Sequence, residues 1–131
     1  MKLGIIGCGY WGPNLIRNFN NISGVEMTHC GDLDESRLNH IKGIYPKTIV
    51  TKDYREILSK KDVDAIIVAT PIDTHYKIAK DALNADKHVL VEKPITNSYE
   101  DATNLIKISE KNKKVLTTTM VSARIFYCPL W

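Results

Sequence analysis

Short apolar runs alternate with longer amphipathic segments along the 131-residue chain. The runs have the length of strands, and the longer segments repeat apolar residues at helical spacing. Such alternation predicts a parallel sheet whose strands are joined by crossover helices. We therefore expect an α/β fold, a single domain with a doubly wound parallel sheet in three layers, α/β/α. The predicted strands span residues 2–7, 25–32, 48–50, 64–70, 88–92 and 115–120.

Capping residues mark the ends of several predicted helices. Pro13 stands in the first turn of the first helix, where its missing N–H costs nothing. Gly43 is predicted to end the second helix. Asp73 is predicted to cap a helix that spans residues 74–85. These signals set the expected limits of the crossover helices.

The last predicted helix begins with a capping box. The spacing allows two boxes, Asn97 with Glu100 or Ser98 with Asp101. The sequence leaves both open. The apolar residues expected to face the core from this helix are Ala102, Leu105, Ile106 and Ile108.

The most informative motif comes directly after the first strand. Gly7, Gly9 and Gly12 have the spacing G-x-G-x-x-G and lead into the first predicted helix. In a dinucleotide-binding fold, the first glycine allows a sharp turn, the second lets a pyrophosphate approach, and the third lets helix and strand pack closely. An ordinary strand-to-helix turn would use similar glycines, so the glycine spacing alone does not decide between the two.

An acidic residue at the end of the second strand supports dinucleotide binding. Asp32 lies twenty positions after Gly12, where the adenosine ribose sits in a β-α-β unit. Its carboxylate would accept hydrogen bonds from the ribose and repel a 2′-phosphate, so the predicted cofactor is NAD, with NADP disfavoured. Two alternatives remain: Asp32 could cap the second helix, although Asp34 could do so instead, and Arg37 could pair with a 2′-phosphate or be a solvated helix residue.

Composition narrows the class of protein. The hydrophobic content of 44% is enough for the core of one domain. The net charge of +3 comes from lysines mixed with acids, so nucleic-acid binding is not expected. Cys8, Cys30 and Cys128 lack the spacing of a zinc site, so we predict no metal and reduced thiols. Since no apolar run could span a bilayer, we expect a cytoplasmic protein without a membrane partner.

Two further groups of polar residues stand at the ends of buried strands. Thr70 ends the fourth strand, and Glu92 and Lys93 end the fifth. Ligands of such sheets bind at the carboxyl ends of the strands. The Lys93 ammonium could stabilise an alkoxide during hydride transfer, or Lys93 could be a surface lysine. Glu92 could orient Lys93, accept a ribose hydroxyl or form an exposed salt bridge. His75 lies near the same edge, where local packing is its more ordinary role.

These motifs together resemble a known family. The segment Gly-Cys-Gly-Tyr-Trp-Gly-Pro-Asn at 7–14, Ala-Thr-Pro at 69–71 with His75 shortly after it, and Glu-Lys-Pro at 92–94 are similar to the N-terminal domain of the Gfo/Idh/MocA (glucose-fructose oxidoreductase / inositol dehydrogenase) family. The resemblance covers about residues 1–116. It implies a Rossmann-like fold and NAD(P)-dependent oxidation of a hydroxyl on a sugar, sugar nucleotide or cyclitol, or the reverse reduction.

The resemblance also implies roles for individual residues. Asp32 would hold the adenosine ribose and Glu92 the nicotinamide ribose. Lys93, the candidate catalytic residue, would contact both nicotinamide and substrate. The middle of the cofactor would contact Thr70, Pro71 and His75. The pyrophosphate would be held by Gly7, Gly9, Tyr10, Trp11 and Gly12.

The end of the chain departs from the family pattern. Residues 1–120 would form the dinucleotide-binding domain, and 121–131 an apolar tail that would pack on its own domain or on a second copy of the chain. Ser122 and Ala123 stand where the family has glycine and histidine. The resemblance implies a second α/β domain, which we do not expect in this chain; a truncated gene, a shifted reading frame or an isolated domain would each account for that.

This departure leaves two main interpretations of function. The first is the NAD-binding domain of a sugar-type oxidoreductase that is inactive alone, since a sugar substrate would bind only with the second domain supplied. The alternative is a free-standing NAD-binding module that senses redox state or regulates a partner. A fold retained without cofactor binding is a third interpretation.

Overall fold

A computed structural model of the chain describes residues 1–119. Six strands form one sheet in the order β3-β2-β1-β4-β5-β6, and every neighbouring pair is parallel. The strands are β1 (Lys2–Ile6), β2 (Glu26–Gly31), β3 (Ile49–Thr51), β4 (Ala65–Val68), β5 (His88–Val91) and β6 (Leu116–Thr118). The helices are α1 (Gly12–Asn20), α2 (Glu35–Ile44), α3 (Tyr54–Leu58), α4 (His75–Asn84) and α5 (Tyr99–Asn112), with a 3₁₀ turn at Ile72–Thr74.

The sheet has a separate hydrophobic core on each face. Ile5 of β1 packs on one face in a cluster that includes residues of α1 and α2. The next residue, Ile6, packs on the other face with residues of α3, α4 and α5. Because successive side chains of a strand point to opposite faces, one strand serves both cores. The doubly wound, three-layer Rossmann-like architecture is therefore confirmed.

The order of the strands reverses beside β1. This strand pairs with β2 on one side and with β4 on the other. Chain connections therefore leave in opposite directions from this point, and the loops after β1 and β4 separate to form a crevice. The glycine turn lies at this crevice.

Two predicted caps are wrong. Gly43 lies inside α2, which ends at Ile44, and the N–H of Tyr45 closes the helix by donating to the Ile41 carbonyl at 2.8 Å. Asp73 lies in the 3₁₀ turn before α4, and its carboxylate accepts a hydrogen bond from the Asn97 side chain at 2.6 Å. The Asp73 carboxylate, which the sequence predicted to cap the helix, is thus hydrogen-bonded to Asn97 in the segment before α5.

The structure selects one of the two capping boxes at α5. The Ser98 hydroxyl accepts a hydrogen bond from the Asp101 N–H at 3.3 Å. The predicted buried face is narrower than expected, because Leu105 is fully buried while Ile106 is 49% exposed. Only one stripe of this helix meets the sheet.

Among the described residues, no helix has both the length and the apolar character needed to cross a bilayer. The predicted apolar tail at 121–131 lies outside the described residues.

Candidate functional site: a dinucleotide crevice

Two glycines of the turn are required by the packing of the protein itself. Gly7 has a φ of +99°, and a Cβ there would overlap the Ala69 carbonyl in the loop after β4. A Cβ on Gly12 would lie 2.6 Å from the Gly7 carbonyl oxygen. The turn therefore brings the start of α1 directly against the end of β1, as the motif predicts.

Gly9 has a different environment. A Cβ built at Gly9 would have one neighbour within 4 Å, Nη1 of Arg37 at 3.6 Å. The space in front of Gly9 belongs to the crevice. Trp11 is the N-cap residue of the adjacent helix α1, and no side chain caps this helix end. Free N–H groups at a helix N-terminus favour a phosphate, so the turn has the form of a pyrophosphate cradle.

Asp32 joins the end of β2 to the glycine turn. Its Oδ2 accepts a hydrogen bond from the Cys8 N–H at 2.7 Å, and its Oδ1 accepts one from the Asp34 N–H at 2.9 Å. The cap of α2 is Asp34, which accepts a hydrogen bond from the Ser36 N–H at 2.8 Å. The capping alternative for Asp32 is therefore wrong, and its carboxylate lies in the wall of the crevice.

Two carboxylates and a guanidinium lie together at this edge of the crevice. The hydroxyl of Ser36, and then its backbone N–H, hold the pKa of Asp34 below its usual range. Asp34 therefore stays ionised beside Asp32 and Arg37. Charges of both signs thus meet where the ribose of a dinucleotide would lie.

The crevice has a volume of about 650 Å³, within the range of roughly 300–1,000 Å³ that small-molecule sites occupy. Seven of the predicted site residues line it. Tyr10 and Trp11 stand at its mouth, where their rings meet edge to face with centroids 5.1 Å apart. The seven are Gly7, Gly9, Tyr10, Trp11, Asp32, Thr70 and Pro71.

His75 lies behind the crevice wall. It is 2% exposed and stands at the start of α4. Its Nδ1 is 2.9 Å from the carbonyl oxygen of Pro94, and its Nε2 is 2.8 Å from that of Thr70. His75 therefore joins the segment after β4 to the segment after β5, and its side chain is outside the lining of the cavity.

Glu92 is also held by the protein. It is 8% exposed, and its Oε2 accepts hydrogen bonds from the Thr119 hydroxyl at 2.7 Å and from the Lys93 N–H at 3.2 Å. The exposed salt bridge considered for Glu92 is therefore wrong. Lys93 is exposed at the same edge, and neither its side chain nor that of Glu92 belongs to the cavity lining.

The buried thiols near the turn are structural. Cys8 and Cys30 are both free and buried, and the Cys8 thiol donates a weak hydrogen bond to the Gly31 carbonyl at 3.9 Å. The neighbouring Cys8 thiol, and then burial, raise the pKa of Cys30 above its usual range. Since the thiolate is the reactive form, the raised pKa keeps the buried Cys30 thiol unreactive.

The sequence analysis missed a polar cluster at the crevice wall. The Tyr54 hydroxyl donates to Asp81 at 2.8 Å and accepts from the Lys77 ammonium at 3.0 Å. Tyr54 and Lys77 both line the cavity, as does Lys52. They come from α3, α4 and the loop after β3, and no local spacing connects them. Asp53 caps α3 by accepting a hydrogen bond from the Arg55 N–H at 3.0 Å, which marks the start of this helix but not its place at the crevice.

Comparisons with known proteins agree with this geometry. The model of the Gfo/Idh/MocA oxidoreductase family, described as a NAD-binding Rossmann fold, matches residues 1–120. An uncharacterized oxidoreductase, YrbE of Bacillus subtilis, is 29% identical over 109 residues, which are 83% of this chain and 32% of that protein. Inositol 2-dehydrogenase of Salmonella paratyphi B is 33% identical over 118 residues, covering 87% of this chain and 34% of the enzyme.

Solved structures give the same result. The chain is similar to KijD10, a 3-ketoreductase from Actinomadura kijaniata in complex with NADP and TDP-benzene, with a TM-score of 0.85 and 25% identity. The match covers 91% of this chain and 37% of that one. The chain thus spans about a third of the length of these relatives. Fold, glycine turn and family match lead to one conclusion: the chain belongs to the Gfo/Idh/MocA oxidoreductase family and corresponds to its NAD-binding Rossmann domain.

Proposed function

We propose that the chain binds NAD in this crevice as the cofactor half of an oxidoreductase acting on a hydroxyl of a sugar, sugar nucleotide or cyclitol. The open space in front of Gly9, between the uncapped N-terminus of α1 and Asp32, carries the proposal. A pyrophosphate fits there because the N-terminus of α1 lies beside the space and the side chain nearest Gly9, the half-exposed guanidinium of Arg37, is cationic.

The preference for NAD rests on Asp32. Its carboxylate oxygens are fixed by two backbone N–H groups, so the charge has a defined place in the crevice wall. A ribose with both hydroxyls free would donate to this carboxylate, whereas a 2′-phosphate would meet a like charge. The adenosine would then lie at Asp32, and the nicotinamide would extend toward Thr70.

Lys93 is the proposed catalytic residue. It stands after β5, next to the segment that His75 ties to Thr70. Its exposed ammonium could donate to the oxygen of the substrate hydroxyl and stabilise the alkoxide left when that hydroxyl loses its proton. Bound NAD would take the hydride from the carbon, and the group that accepts the proton would come from outside this chain. We assign Glu92 to the orientation of Lys93, since its carboxylate accepts a hydrogen bond from the Lys93 backbone.

The substrate class and the need for a partner domain come from the family. One relative is an inositol 2-dehydrogenase and another a 3-ketoreductase, and both are about three times as long as the matched region. We infer that the residues that bind the substrate lie outside this chain and that it is inactive alone. Pairing of two copies through 121–131 stays a prediction, as does a cytoplasmic location, which the free thiols Cys8 and Cys30 favour.

Titration of NADH fluorescence tests cofactor binding. Gly9→Val places a branched side chain in the pyrophosphate space, and we expect the dissociation constant to rise at least tenfold with an unchanged unfolding midpoint. Gly43→Val is the matched control, since Gly43 is exposed on α2 with nothing within 4 Å of its Cβ position. Equal affinity of wild type and Gly9→Val would contradict the proposal.

A second measurement tests the claim of inactivity. The chain is incubated with NAD and a panel of cyclitols and sugar nucleotides, and NADH formation is monitored by absorbance. We expect no turnover above the rate without protein. Turnover that Lys93→Met abolishes would show that the chain is a complete enzyme.

A further inference from the structure

Thr119 stands directly after β6, beside the end of β5. Its backbone N–H donates to the Val91 carbonyl at 3.1 Å, so the pairing of these two strands continues for one residue beyond β6. On the opposite side of β5, the Glu92 N–H donates to the Val68 carbonyl of β4 at 2.8 Å. The backbone therefore places the half-buried Thr119 side chain next to Glu92 and Lys93.

The Thr119 hydroxyl closes a small hydrogen-bond network. It donates to Oε2 of Glu92 at 2.7 Å and accepts from the Lys93 N–H at 3.1 Å. The same N–H lies 3.2 Å from Oε2 of Glu92 and is shared between the two oxygens. A backbone N–H only donates and a carboxylate oxygen only accepts, so the group that bridges them must do both, as a hydroxyl does.

The hydroxyl also determines how Glu92 is held. Glu92 is 8% exposed, and a buried carboxylate is costly unless hydrogen bonds satisfy it. Within residues 1–119, Thr119 supplies the one side-chain donor to this carboxylate, and both hydrogen bonds fall on Oε2. Oε2 is thus bound inside the protein, while Oε1 stays available to a ligand.

Lys93 is fixed through its backbone. Its N–H is held by Thr119 and Glu92, and the carbonyl oxygen of the next residue, Pro94, lies 2.9 Å from Nδ1 of His75. The exposed Lys93 side chain leaves the backbone between these two contacts. The contacts therefore set the direction in which its ammonium extends.

We propose that Thr119 is a positioning residue of this site: its hydroxyl holds Glu92 and the Lys93 backbone where they face the nicotinamide riboside of the cofactor. The inference rests on the proposed function and adds a residue that neither the glycine motif nor the other strand ends indicated. Thr119 acts through Glu92 and Lys93 and does not itself contact the ligand. It therefore affects ligands that carry the nicotinamide riboside and not those that lack it.

Parallel titrations with NADH and ADP test the inference. ADP ends at the pyrophosphate, so it occupies the glycine turn and the Asp32 side of the crevice without reaching Glu92 or Lys93. Thr119→Val replaces the hydroxyl with a methyl group. We expect it to raise the dissociation constant of NADH about fivefold, the effect of one lost hydrogen bond, and to leave that of ADP within about twofold of wild type.

Matched variants separate the hydroxyl from the shape of the side chain. Thr119→Ser keeps the hydroxyl and should restore the NADH affinity of wild type. Thr119→Ala removes the hydroxyl without adding a methyl group and should repeat the result of Thr119→Val. Thr118→Val makes the same chemical change at the neighbouring exposed residue of β6 and should alter neither affinity. In a Glu92→Ala background, Thr119→Val should add no further loss, because the group through which it acts is gone.

The Lys93 amide gives a second measurement that needs no ligand. In proton–nitrogen correlation spectra of the chain, Thr119→Val should shift the Lys93 amide resonance upfield and speed its exchange with deuterium, because the N–H loses one of its two acceptors. Thr119→Ser should keep both the resonance and the exchange rate near those of wild type.

Equal losses of NADH and ADP affinity in Thr119→Val would make Thr119 a general support of the fold and would overturn the inference. NADH affinity at the wild-type value in both Thr119→Val and Thr119→Ala would overturn it too. If wild type binds NADH no more tightly than ADP, the chain does not hold the nicotinamide riboside, and the inference fails while binding of the ADP half stands. If wild type binds neither ligand, the proposed function itself fails.

Discussion

The two ends of the crevice are built in opposite ways. At the end formed by the glycine turn, Gly9, Asp32 and Arg37 border open space, and the backbone N–H groups of α1 have no side-chain cap. At the other end, His75 and Glu92 are buried and bound to protein groups. Asp32 and Glu92 each stand directly after a strand of the same sheet. Position at a strand end therefore brings a residue to the crevice, but its hydrogen-bond partners decide whether it faces the ligand or supports the wall.

The largest expected effect concerns Gly7, at the end of the crevice formed by the glycine turn. Gly7→Ala should destabilise the fold by about 3–5 kcal/mol, because the residue has positive φ and its Cβ would overlap the Ala69 carbonyl. Urea denaturation measures this change. Gly24→Ala is the control, since Gly24 also has positive φ, +80°, but nothing lies within 4 Å of its Cβ position. Its cost should be about 1 kcal/mol. Equal costs for the two variants would show that the close approach of β1 and the loop after β4 does not matter.

The next prediction concerns His75, which supports the other end of the crevice. His75→Leu keeps a buried side chain of similar size but removes the two ring nitrogens that lie 2.8 Å from the Thr70 carbonyl oxygen and 2.9 Å from that of Pro94. We expect a loss of about 2–3 kcal/mol in urea denaturation and weaker NADH binding, because both segments beside the crevice are released. His40→Leu, at an exposed position of α2, should change neither. A stability equal to wild type with weaker NADH binding would instead place His75 on the cofactor.

The smallest expected effect concerns a second buried histidine, His29. His29 of β2 is 4% exposed, and its buried Nε2 lacks a partner among the described residues. Burial lowers the pKa of His29 below its usual 6.5. His29 therefore takes up a proton more readily in the unfolded chain than in the folded protein. Its contribution to the free energy of unfolding is complete above about pH 6.5 and declines as the pH falls through the lower pKa of the folded protein.

Replacing His29 should remove that slope. We expect His29→Leu to flatten the dependence of the unfolding free energy on pH between about 7 and 5, by less than about 1 kcal/mol over the range. Denaturation at a series of pH values measures it, with His40→Leu as the exposed control. A slope that survives in His29→Leu would assign the acid sensitivity to another group.

The glycine spacing and the acidic end of β2 were readable from the sequence because their physics is local. Gly7 and Gly12 are needed for a turn of six residues, and Asp32 lies at a strand end fixed by apolar periodicity. Parallel pairing was predictable from the same alternation, since crossover helices impose it. Gly43 and Asp73 show the limit of such reasoning: a glycine or an aspartate suits a cap, but the helix end is set by which carbonyls and amides find partners.

The sequence by itself determined the doubly wound sheet, the phosphate turn and the place of Asp32, because each depends on short-range backbone geometry and on burial patterns. Only the tertiary structure decided that Arg37 lies over Gly9, that Tyr54 and Lys77 meet across 23 residues, and that His75 bridges two loops. These contacts join elements distant in the chain. Their geometry depends on how helices on each face dock against the sheet, and no local spacing encodes it.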